Sequence, residues 1–585
     1  MKKINNYPRP QFVRENWLSL NGKWNFLFDD EDTGEREKYY NFFPESIEIE
    51  VPFSYETKKS GIGDETVHKN VWYQKNINIS EINKNENIIL HFEGSDYITK
   101  LWINGSYVGL NKGGYHRFSF DITDYLVNGE NSFTIKVEDS LSKEQPRGKQ
   151  RYKNKSWECL YVQTTGIWKS VWMERVPSKY FVSSKITPVF DNGTVDIELI
   201  TNIYEGFNNY EIETDILFNN KVVNSLKNKV ENRHIKYNMG ICGDKVHSIM
   251  VWSPKQPNLY DIVYKLYYNG TLVDKVYSYF GVRKIEIEKN KLLLNNEELY
   301  LKMVLDQGYW EESHLTPPDE EAIIKDIEIA RKYGFNGIRK HQKTEDERFL
   351  YYCDIKGMLV WGEMASCYEF TDESTENFTD EWIKAVKQNY NHPSIITWVP
   401  INESWGVPDI RHDIKQQNYA NSLYYLTKSV DDTRPVISND GWEHTVSDII
   451  TMHDYKQNGE LLYDTYNDEE LSVINNKSEY NGKNKLFSES YKYDGQPVIM
   501  SEYGGIALNS DKGWGYGEQV KDEEEFIIRF RELTNAIKST KYISGYCYTQ
   551  LTDTQQEING LVYENRRDKF SDKIINMIKE INEQM

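Results

Sequence analysis

The sequence predicts two consecutive β-sandwich domains followed by a (β/α)₈ barrel, and three observations lead to this prediction. The chain has 585 residues, a length for which roughly three or four domains are usual. Up to about residue 285, short runs of alternating apolar and polar residues are broken by turn residues, which is typical of antiparallel sheets. Beyond that point, apolar strand candidates alternate with helical patterns, which indicates parallel βα units.

The N-terminal half divides into two β-rich domains. The run Gly22–Phe28 alternates apolar and polar residues, and Asn104-Gly105 stands between two further runs as a strong hairpin signal. A break near Val176-Pro177-Ser178 indicates a boundary, so we predict one domain over residues 1–180. The next stretch, residues 181–284, has the length of an immunoglobulin-like sandwich.

The predicted barrel, residues 285–585, contains eight apolar strand candidates, which is the number a (β/α)₈ barrel needs. Between the first two, Asp319 is a plausible helix N-cap and Gly334 a plausible end. Residues 456–496 form a long polar stretch, for which a functional lid is the expectation. The strand candidates are Leu299–Leu305, Gly337–His341, Leu359–Met364, Ile395–Asn402, Pro435–Asn439, Ile449–His453, Val498–Glu502 and Ile543–Thr549.

Composition narrows the possible partners. With 70 basic and 91 acidic residues the net charge is −21, which argues against nucleic acid as a partner. The 43 Tyr and 15 Trp residues suit stacking on sugar rings, although β-rich domains are in general rich in aromatic residues. Composition alone leaves these two explanations open.

The sequence also bears on the cellular compartment. Met1–Pro8 has a positive start without an apolar run behind it, so no secretory signal is predicted, and no stretch approaches the ~20 apolar residues of a membrane span. The five cysteines are scattered and contain no CxxC pair, which favours a reduced, cytoplasmic protein. They are Cys159, Cys242, Cys353, Cys367 and Cys547.

Two glutamates stand where predicted barrel strands end. Ile395–Asn402 runs directly into Glu403, and Pro497–Ser501 into Glu502. Catalytic groups of such barrels lie at the carboxyl ends of the strands, and an acid after a buried strand is costly unless it is paired or used. Two carboxylates facing each other across the mouth suit glycoside cleavage, in which one protonates the leaving oxygen and the other attacks. A salt-bridged strand cap is the alternative for either residue alone.

At this point the chain resembles the family 2 glycoside hydrolases, which include β-galactosidases and β-glucuronidases. Five motifs, spread over essentially the whole chain, carry the resemblance. They are Arg14–Trp24 as the opening strand, His91–Tyr115 as the sugar-binding jelly roll, Thr164–Trp168 as the end of that domain, Asn391–Ser404 as the acid/base motif and Ser501–Gly504 as the nucleophile motif.

The resemblance implies a role for individual residues. Glu403 becomes the general acid/base, Glu502 the nucleophile and Asn402 a partner of the sugar 2-hydroxyl. It also implies a substrate-side role for His341 and a nucleophile-supporting role for Tyr455. Tyr548 stands where the family usually has a tryptophan at the sugar platform. Asp306, at the end of the first barrel strand, is a further candidate for hydroxyl binding.

The sugar is less clear than the chemistry. Family glucuronidases carry an Asn-x-Lys motif late in the barrel, and Asn565–Lys569 does not match it, so a neutral sugar is favoured. The basic cluster Arg339-Lys340-His341 with Lys343 keeps a uronic acid possible, the alternative being a solvated turn. Arg147–Arg151 either reaches the barrel mouth or lies on the surface.

We therefore predict a retaining exo-glycosidase, with a β-galactoside as the first candidate substrate. β-Glucuronidase, β-galacturonidase or arabinosidase activity is the alternative within the family, and an inactive carbohydrate-binding protein is the alternative outside it. The expected partner is an oligosaccharide or glycoside; a homo-oligomer is possible. No cofactor is implied, and without HExxH or HxH no metal site is predicted.

Overall fold

The computed structural model describes residues 6–241 and 249–584, in three domains. Cys242 and the start of the N-terminal segment, Met1–Asn5, lie outside the described residues. In the first domain two antiparallel sheets pack face to face, with strand orders β1-β12-β5-β9 and β3-β2-β4-β10-β7-β8. The strands are β1 (Trp17–Ser19), β2 (Gly22–Phe28), β3 (Ile47–Val51), β4 (Asn70–Ile79), β5 (Glu86–Phe92), β6 (Ser95–Asp96), β7 (Ile98–Ile103), β8 (Ser106–Lys112), β9 (Phe118–Asp121), β10 (Gly129–Glu138), β11 (Gly166–Ile167) and β12 (Val171–Pro177).

Alternation of apolar and polar residues explains this sandwich. In β2, Trp24 and Phe26 point into the core while Lys23 and Asn25 point outward. The predicted hairpin is present, because Asn104 and Gly105 both have positive φ and form the turn between β7 and β8.

The second domain is the predicted immunoglobulin-like sandwich. Its sheets have the orders β13-β14-β17 and β16-β15-β18-β19, and they enclose a separate apolar core. The strands are β13 (Phe181–Val189), β14 (Thr194–Thr201), β15 (Tyr210–Phe218), β16 (Lys221–Lys229), β17 (His234–Gly240), β18 (Tyr260–Tyr268) and β19 (Thr271–Phe280).

A parallel barrel forms the third domain, after a small antiparallel sheet of β20–β22. Seven strands pair in the order β26-β25-β24-β23-β31-β30-β29, and the parallel pair β27–β28 occupies the remaining position. The strands are β20 (Ile285–Glu288), β21 (Lys291–Leu294), β22 (Glu297–Glu298), β23 (Leu301–Asp306), β24 (Gly337–Lys340), β25 (Leu359–Glu363), β26 (Ile395–Val399), β27 (Ile401–Asn402), β28 (Asn439–Asp440), β29 (Ile450–Asp454), β30 (Val498–Gly504) and β31 (Ile543–Thr549).

All eight predicted barrel strands are present, but the fifth is shorter than expected. Over Pro435–Asn439 only the Trp398–Val436 bridge and the start of β28 form. The helices are α1 (Glu320–Lys332), α2 (Glu347–Lys356), α3 (Asp372–Asn389), α4 (Ile414–Val430), α5 (Gly459–Tyr466), α6 (Glu523–Ser539) and α7 (Asp572–Glu583). As predicted, Asp319 caps α1 by accepting the Ala322 N–H at 2.8 Å, and Gly334 follows its end with φ +84°.

Residues 456–496 are packed against the barrel, and their role as a lid stays a prediction. They contain α5, whose Leu462 and Tyr466 belong to the barrel core, and the segment also buries Leu486 and Phe487. Leu461, Tyr463 and Leu471 of this stretch are exposed, but the burial of the other apolar residues holds the segment against the barrel.

The first domain contacts the barrel mouth through the loop after β10. The backbone N–H groups of Arg147 and Gly148 donate to the Ser366 carbonyl at 3.0 and 3.1 Å. Gly148 has φ +57°, and a Cβ there would collide with the Gln342 carbonyl, so this close approach requires glycine. Over the two described ranges, no helix has the length and apolar character needed to cross a membrane.

Candidate active site

Glu403 and Glu502 meet at the carboxyl face of the barrel. Glu403 follows β27 with φ +52°, and its side chain is 20% exposed. Glu502 lies near the end of β30 and is buried. One oxygen from each carboxylate and one His453 ring nitrogen all lie within 4.8 Å of one another. The two acids that the sequence places 99 positions apart therefore share one site.

The surroundings of Glu502 favour its ionised form. Burial would raise its pKa, but the charges of His453, Arg339 and Lys149 lower it by more, so the net shift is downward. Arg339 Nη1 donates to its Oε1 at 2.8 Å, and the Tyr455 hydroxyl donates to its Oε2. A carboxylate held ionised and aimed by two donors is suited to act as a nucleophile.

Arg339, at the end of β24, connects most of the polar residues of the mouth. It is fully buried, pairs with Glu363, and donates to Asp440 at 2.8 Å and to the Asn402 Oδ1 at 2.7 Å. Asn402 has its Oδ1 occupied in this way, while its buried Nδ2 has no protein partner. The amide is thus oriented with a free donor beside Glu403, as binding of a sugar hydroxyl requires.

His453, at the end of β29, links the two acids to Asp440. Its Nδ1 donates to Glu403 at 2.7 Å and its Nε2 to Asp440 at 2.8 Å. Burial lowers its pKa, but the charges of Glu502 and Asp440 and these hydrogen bonds raise it to about 10. The ring is therefore a cation at neutral pH that orients Glu403.

Glu403, His453 and Glu502 are also the one group of metal-type side chains found close together among the described residues. A protonated His453 with both ring nitrogens on carboxylates is a poor ligand, because metals bind the neutral imidazole. The absence of a metal site stays a prediction.

His341 lies close to Glu502, one of the two acids of the candidate pair. Its Nδ1 contacts Glu363 at 2.9 Å, and its Nε2 is 4.0 Å from the Glu502 Oε1. Burial, followed by the charges of Arg339 and Lys149, lowers its pKa well below the usual range, so the ring is neutral. A neutral imidazole edge at this place can bind a hydroxyl.

Tyr455 supports Glu502 from the opposite side. Its hydroxyl lies 3.2 Å from the Thr549 Oγ1 as well as against Glu502. Its ring stacks on Tyr516 with centroids 3.4 Å apart and planes 3° apart. The stacked ring therefore holds the phenol against Glu502.

Two candidate residues lie elsewhere. Tyr548 is fully buried and packs against Phe530 of α6, on the helix side of the barrel, so it is no sugar platform. Its neighbour Thr549 is the residue that points to the mouth. Asp306 is fully buried; its Oδ2 pairs with Lys340 at 2.6 Å and its Oδ1 accepts the Gly308 N–H at 2.9 Å, so both oxygens are already bonded within the protein.

The basic cluster around His341 is neither a solvated turn nor a free anion site. Arg339 is held by carboxylates, and Lys340 and Lys343 share Glu345 at 2.9 and 3.0 Å. All three cations are buried and paired. A different cation reaches the mouth, Lys149 of the first domain, which answers the question left open for Arg147–Arg151.

Sequence reasoning missed Asp440 and His453 as site residues, and it considered Arg339 only as a candidate partner of a sugar carboxylate. His453 and Asp440 end β29 and β28, so the rule that polar residues at carboxyl strand ends face the mouth would have found them. Arg339 carried the weaker signal of a charged residue in an apolar strand.

A (β/α)₈ barrel with two close carboxylates at its carboxyl face has the site expected of a retaining glycoside hydrolase. Family models match the chain over nearly its whole length: the glycosyl hydrolase family 2 sugar-binding domain over residues 17–177, the central family 2 domain over 176–283 and the TIM barrel domain over 285–575. The chain belongs to glycosyl hydrolase family 2, which confirms the resemblance and the three-part fold.

Relatives with different names are similar to the chain. A β-galactosidase of Thermoanaerobacter pseudethanolicus is 27% identical over 70% of the chain and 56% of its own length. A β-glucuronidase of Paenibacillus borealis is 24% identical over 90% of the chain and 89% of its own length. The crystal structure of Ruminococcus gnavus β-glucuronidase superposes with a TM-score of 0.79 at 16% identity, covering 99% of both chains, which is a likeness of fold. The chain spans about half the length of the first curated relatives it matches, between 42% and 56%.

Proposed function

We propose that the chain is a retaining exo-glycosidase that removes a terminal non-reducing sugar, with a β-galactoside as the first candidate. The spacing of the two acids supports the proposal, since oxygens of Glu403 and Glu502 lie within 4.8 Å. Retention uses carboxyl groups ~5 Å apart, whereas inversion leaves roughly 6.5–9.5 Å for a water molecule.

In the proposed reaction Glu502 attacks the anomeric carbon while Glu403 protonates the glycosidic oxygen. The aglycone leaves, and the sugar stays covalently bound to Glu502. Glu403 then takes a proton from water, which attacks the same carbon and displaces the Glu502 carboxylate. Two inversions give net retention. Glu403 is the more exposed acid, as donation to a departing group requires.

An exo mode of action is supported by the closure of one side of the mouth. The loop that contains Gly148 is bonded to the barrel at Ser366, and the Tyr161 hydroxyl reaches Glu557 of the last barrel loop at 2.6 Å. Because two domains form its walls, the mouth is favoured to be a closed pocket, which accepts the end of a sugar chain, and not an open cleft.

The test is a panel of nitrophenyl β-galactoside, β-glucuronide, β-galacturonide and α-arabinoside substrates with wild type, Glu502→Gln and Glu403→Ala. We expect Glu502→Gln to be inactive on all of them. Glu403→Ala should lose ~10²–10⁴-fold with a poor leaving group and far less with dinitrophenol, which needs no proton. The anomer formed first, followed by NMR, should have the substrate's configuration.

If wild type and both variants are equally inert on every glycoside, the alternative of a catalytically inactive carbohydrate-binding protein gains. An inverted first product would contradict the nucleophilic role of Glu502.

A uronide is the second candidate substrate, and one observation favours it. The ammonium group of Lys149 lies at the mouth, and among the described residues no carboxylate lies within 4.0 Å of it. A sugar carboxylate could pair with this cation. Turnover of a uronide alone would establish this candidate and reject the galactoside.

A further inference from the structure

The mouth of the barrel continues outward into a track of four aromatic rings. Trp405 comes two residues after Glu403, and its backbone N–H donates to the Asn402 carbonyl at 2.9 Å, so one tight turn carries the acid and the first ring. Successive ring centroids are 5.2, 4.6 and 5.7 Å apart. All four side chains are half-buried, so packing against one another leaves part of each ring open to a ligand. From the mouth outward, this aromatic track consists of Trp405, Tyr368, Tyr152 and Trp157.

The aromatic track is formed by two domains and is fixed to both. Its two inner rings belong to the barrel, and its two outer rings belong to a loop of the first domain. The Tyr368 hydroxyl donates to the Gly148 carbonyl before this loop, and the Trp514 indole N–H donates to the Glu158 carbonyl at 3.1 Å after it. The surface therefore exists before a ligand arrives, so that little ordering opposes binding.

The position of the aromatic track matches the side on which a leaving group departs. In the proposed reaction Glu403 protonates the glycosidic oxygen, so the departing group lies on its side of the mouth. Trp405 shares the turn of Glu403, whereas the stacked rings of Tyr455 and Tyr516 accompany Glu502. A leaving group that extends outward from Glu403 therefore meets the track.

The loop that carries the outer rings is strongly basic in a protein whose net charge is −21. Residues 147–157 contain five cations and no acid. The two arginines are buried and bonded within the first domain, to Asp139 and Gln163, so the lysines remain to meet a ligand. The five cations are Arg147, Lys149, Arg151, Lys153 and Lys155.

Lys153 is the cation at the outer end of the aromatic track. Its Nζ lies 3.7 Å from the ring centroid of Trp157 and 5.8 Å from that of Tyr152. The side chain is exposed, and within the described ranges it forms no ion pair, neither with Glu158 nor with Glu369, which pairs with a different lysine. An ammonium group held over rings and not by an acid is available to an anionic ligand.

We propose that the aromatic track and Lys153 bind the leaving group of the substrate, and that this group is a sugar chain carrying a carboxylate or a sulfate. This assignment rests on the proposed glycosidase function and names the class of its leaving group. Aromatic side chains provide apolar surface for the C–H faces of pyranose rings. The lysine supplies a charge that a neutral or aryl leaving group would leave unused.

The test compares substrates that share the terminal sugar identified by the nitrophenyl panel and differ in their leaving group. The glycosyl fluoride is the reference, because fluoride is too small to reach the aromatic track. The others are disaccharides, in each of the common linkages, whose second sugar is glucose, glucuronic acid or sulfated glucose. We expect the wild type to have a higher kcat/KM for an anionic disaccharide than for the neutral one, and this preference should shrink as salt is added, because salt screens exposed charges.

Two variants remove the two kinds of contact. Tyr152→Ala should lower kcat/KM for every disaccharide, relative to the glycosyl fluoride, by about threefold or more, because an aromatic contact is lost. Lys153→Glu should lower the ratio of anionic to neutral disaccharide by about fivefold or more, because an attraction becomes a repulsion. The same variant should keep the neutral disaccharide within about twofold of wild type.

Each variant has a matched control in the second domain. Tyr268 packs against Tyr210 with centroids 4.9 Å and planes 47° apart, close to the 4.6 Å and 52° between the second and third rings of the aromatic track. Lys275 is exposed, with its Nζ 4.7 Å from the ring centroid of Tyr277. Tyr268→Ala and Lys275→Glu should leave all these ratios within about twofold. Thermal unfolding checks that each variant folds, and the ratio to the glycosyl fluoride cancels any loss of active protein.

The assignment is overturned if Tyr152→Ala or Lys153→Glu keeps the wild-type ratios within about twofold, or if the wild type favours the neutral disaccharide over both anionic ones. Cleavage of the fluoride and of aryl glycosides without cleavage of any disaccharide overturns it as well. In each of these cases a glycoside is still cleaved, so the proposed function stands. Inactivity on the fluoride and on every glycoside overturns the proposed function itself. A preference for the carboxylate or for the sulfate supports the assignment and identifies the anion.

Discussion

Replacing Tyr455 by Phe tests whether the phenol stabilises Glu502 when this carboxylate leaves the covalent intermediate. The hydroxyl donates to the Glu502 Oε2, and the ring stacks on Tyr516 at 3.4 Å, so Phe should keep the ring in place while losing the donor. The variant thus removes one interaction from a rigid setting.

The expected magnitude follows from that single bond. A hydrogen bond to a charged group contributes about 1.5–3 kcal/mol, or roughly a 10- to 150-fold effect on a rate that depends on it. The affected step is hydrolysis of the intermediate, in which negative charge returns to Glu502. For a dinitrophenyl glycoside we therefore expect kcat and KM to fall together and a burst of dinitrophenol to appear in stopped-flow traces.

The pH profile is the second measurement. The phenol favours the ionised carboxylate, so its removal should raise the pKa of Glu502 and move the acid limb of kcat/KM to higher pH. The matched control is Tyr503→Phe, since that hydroxyl bonds Thr534 at 2.8 Å on the helix side. If kcat stays within about twofold of wild type and the acid limb does not move, Tyr455 has no such role.

Three further predictions concern the buried charges. Arg339→Lys should lower both kcat/KM and the melting temperature, because an ammonium cannot reach all the separated acceptors that a guanidinium serves. Each buried acceptor left unpaired costs about 1–3 kcal/mol, so an unchanged melting temperature would contradict this role. Asp306→Asn should lower the melting temperature with KM within about twofold, since its Lys340 pair lies outside the sugar site; a large rise in KM would restore it as a sugar ligand. Burial lowers the pKa of His392 and of His453, but their acidic partners raise it to about 9 and about 10, above the usual 6.5. The stability that each charged histidine contributes to the fold is complete below about pH 6.5 and is lost as the pH rises through those pKa values. The melting temperature of the wild type should therefore fall between about pH 7 and 10, and that of His392→Gln should fall less steeply.

Much of the candidate site follows from local sequence. An apolar strand that ends in Asn402-Glu403 or in Glu502 must place those side chains at the carboxyl face, because every strand of a parallel barrel ends on that face. The strand pattern and the family motifs were enough to predict that the acid pair, Asn402, His341 and Tyr455 lie at the mouth. The helix caps followed in the same way, since capping depends on residues a few positions apart.

Side-chain direction along a strand was harder to predict. Arg339 points into the barrel and Lys340 outward to Asp306, so adjacent cations of one strand have opposite surroundings. Between β30 and β31 the register shifts by one residue and then shifts back, so the pairing offset at Tyr503–Tyr548 is again that at Val498–Ile543. In β31 Tyr548 packs in the core on the helix side and Cys547 in the core inside the barrel, so the next residue, Thr549, faces the mouth.

The sequence by itself determined the family, the order of the domains and the two strand-end acids, because these are features of local segments. Tertiary structure alone decided how those acids are surrounded. Arg339 reaches Glu502 across 163 positions, and Tyr161 reaches Glu557 across 396. Lys149 arrives from another domain, over the ring of Trp405. The electrostatic field that ionises Glu502 acts through space, so it exists only once distant segments have packed together.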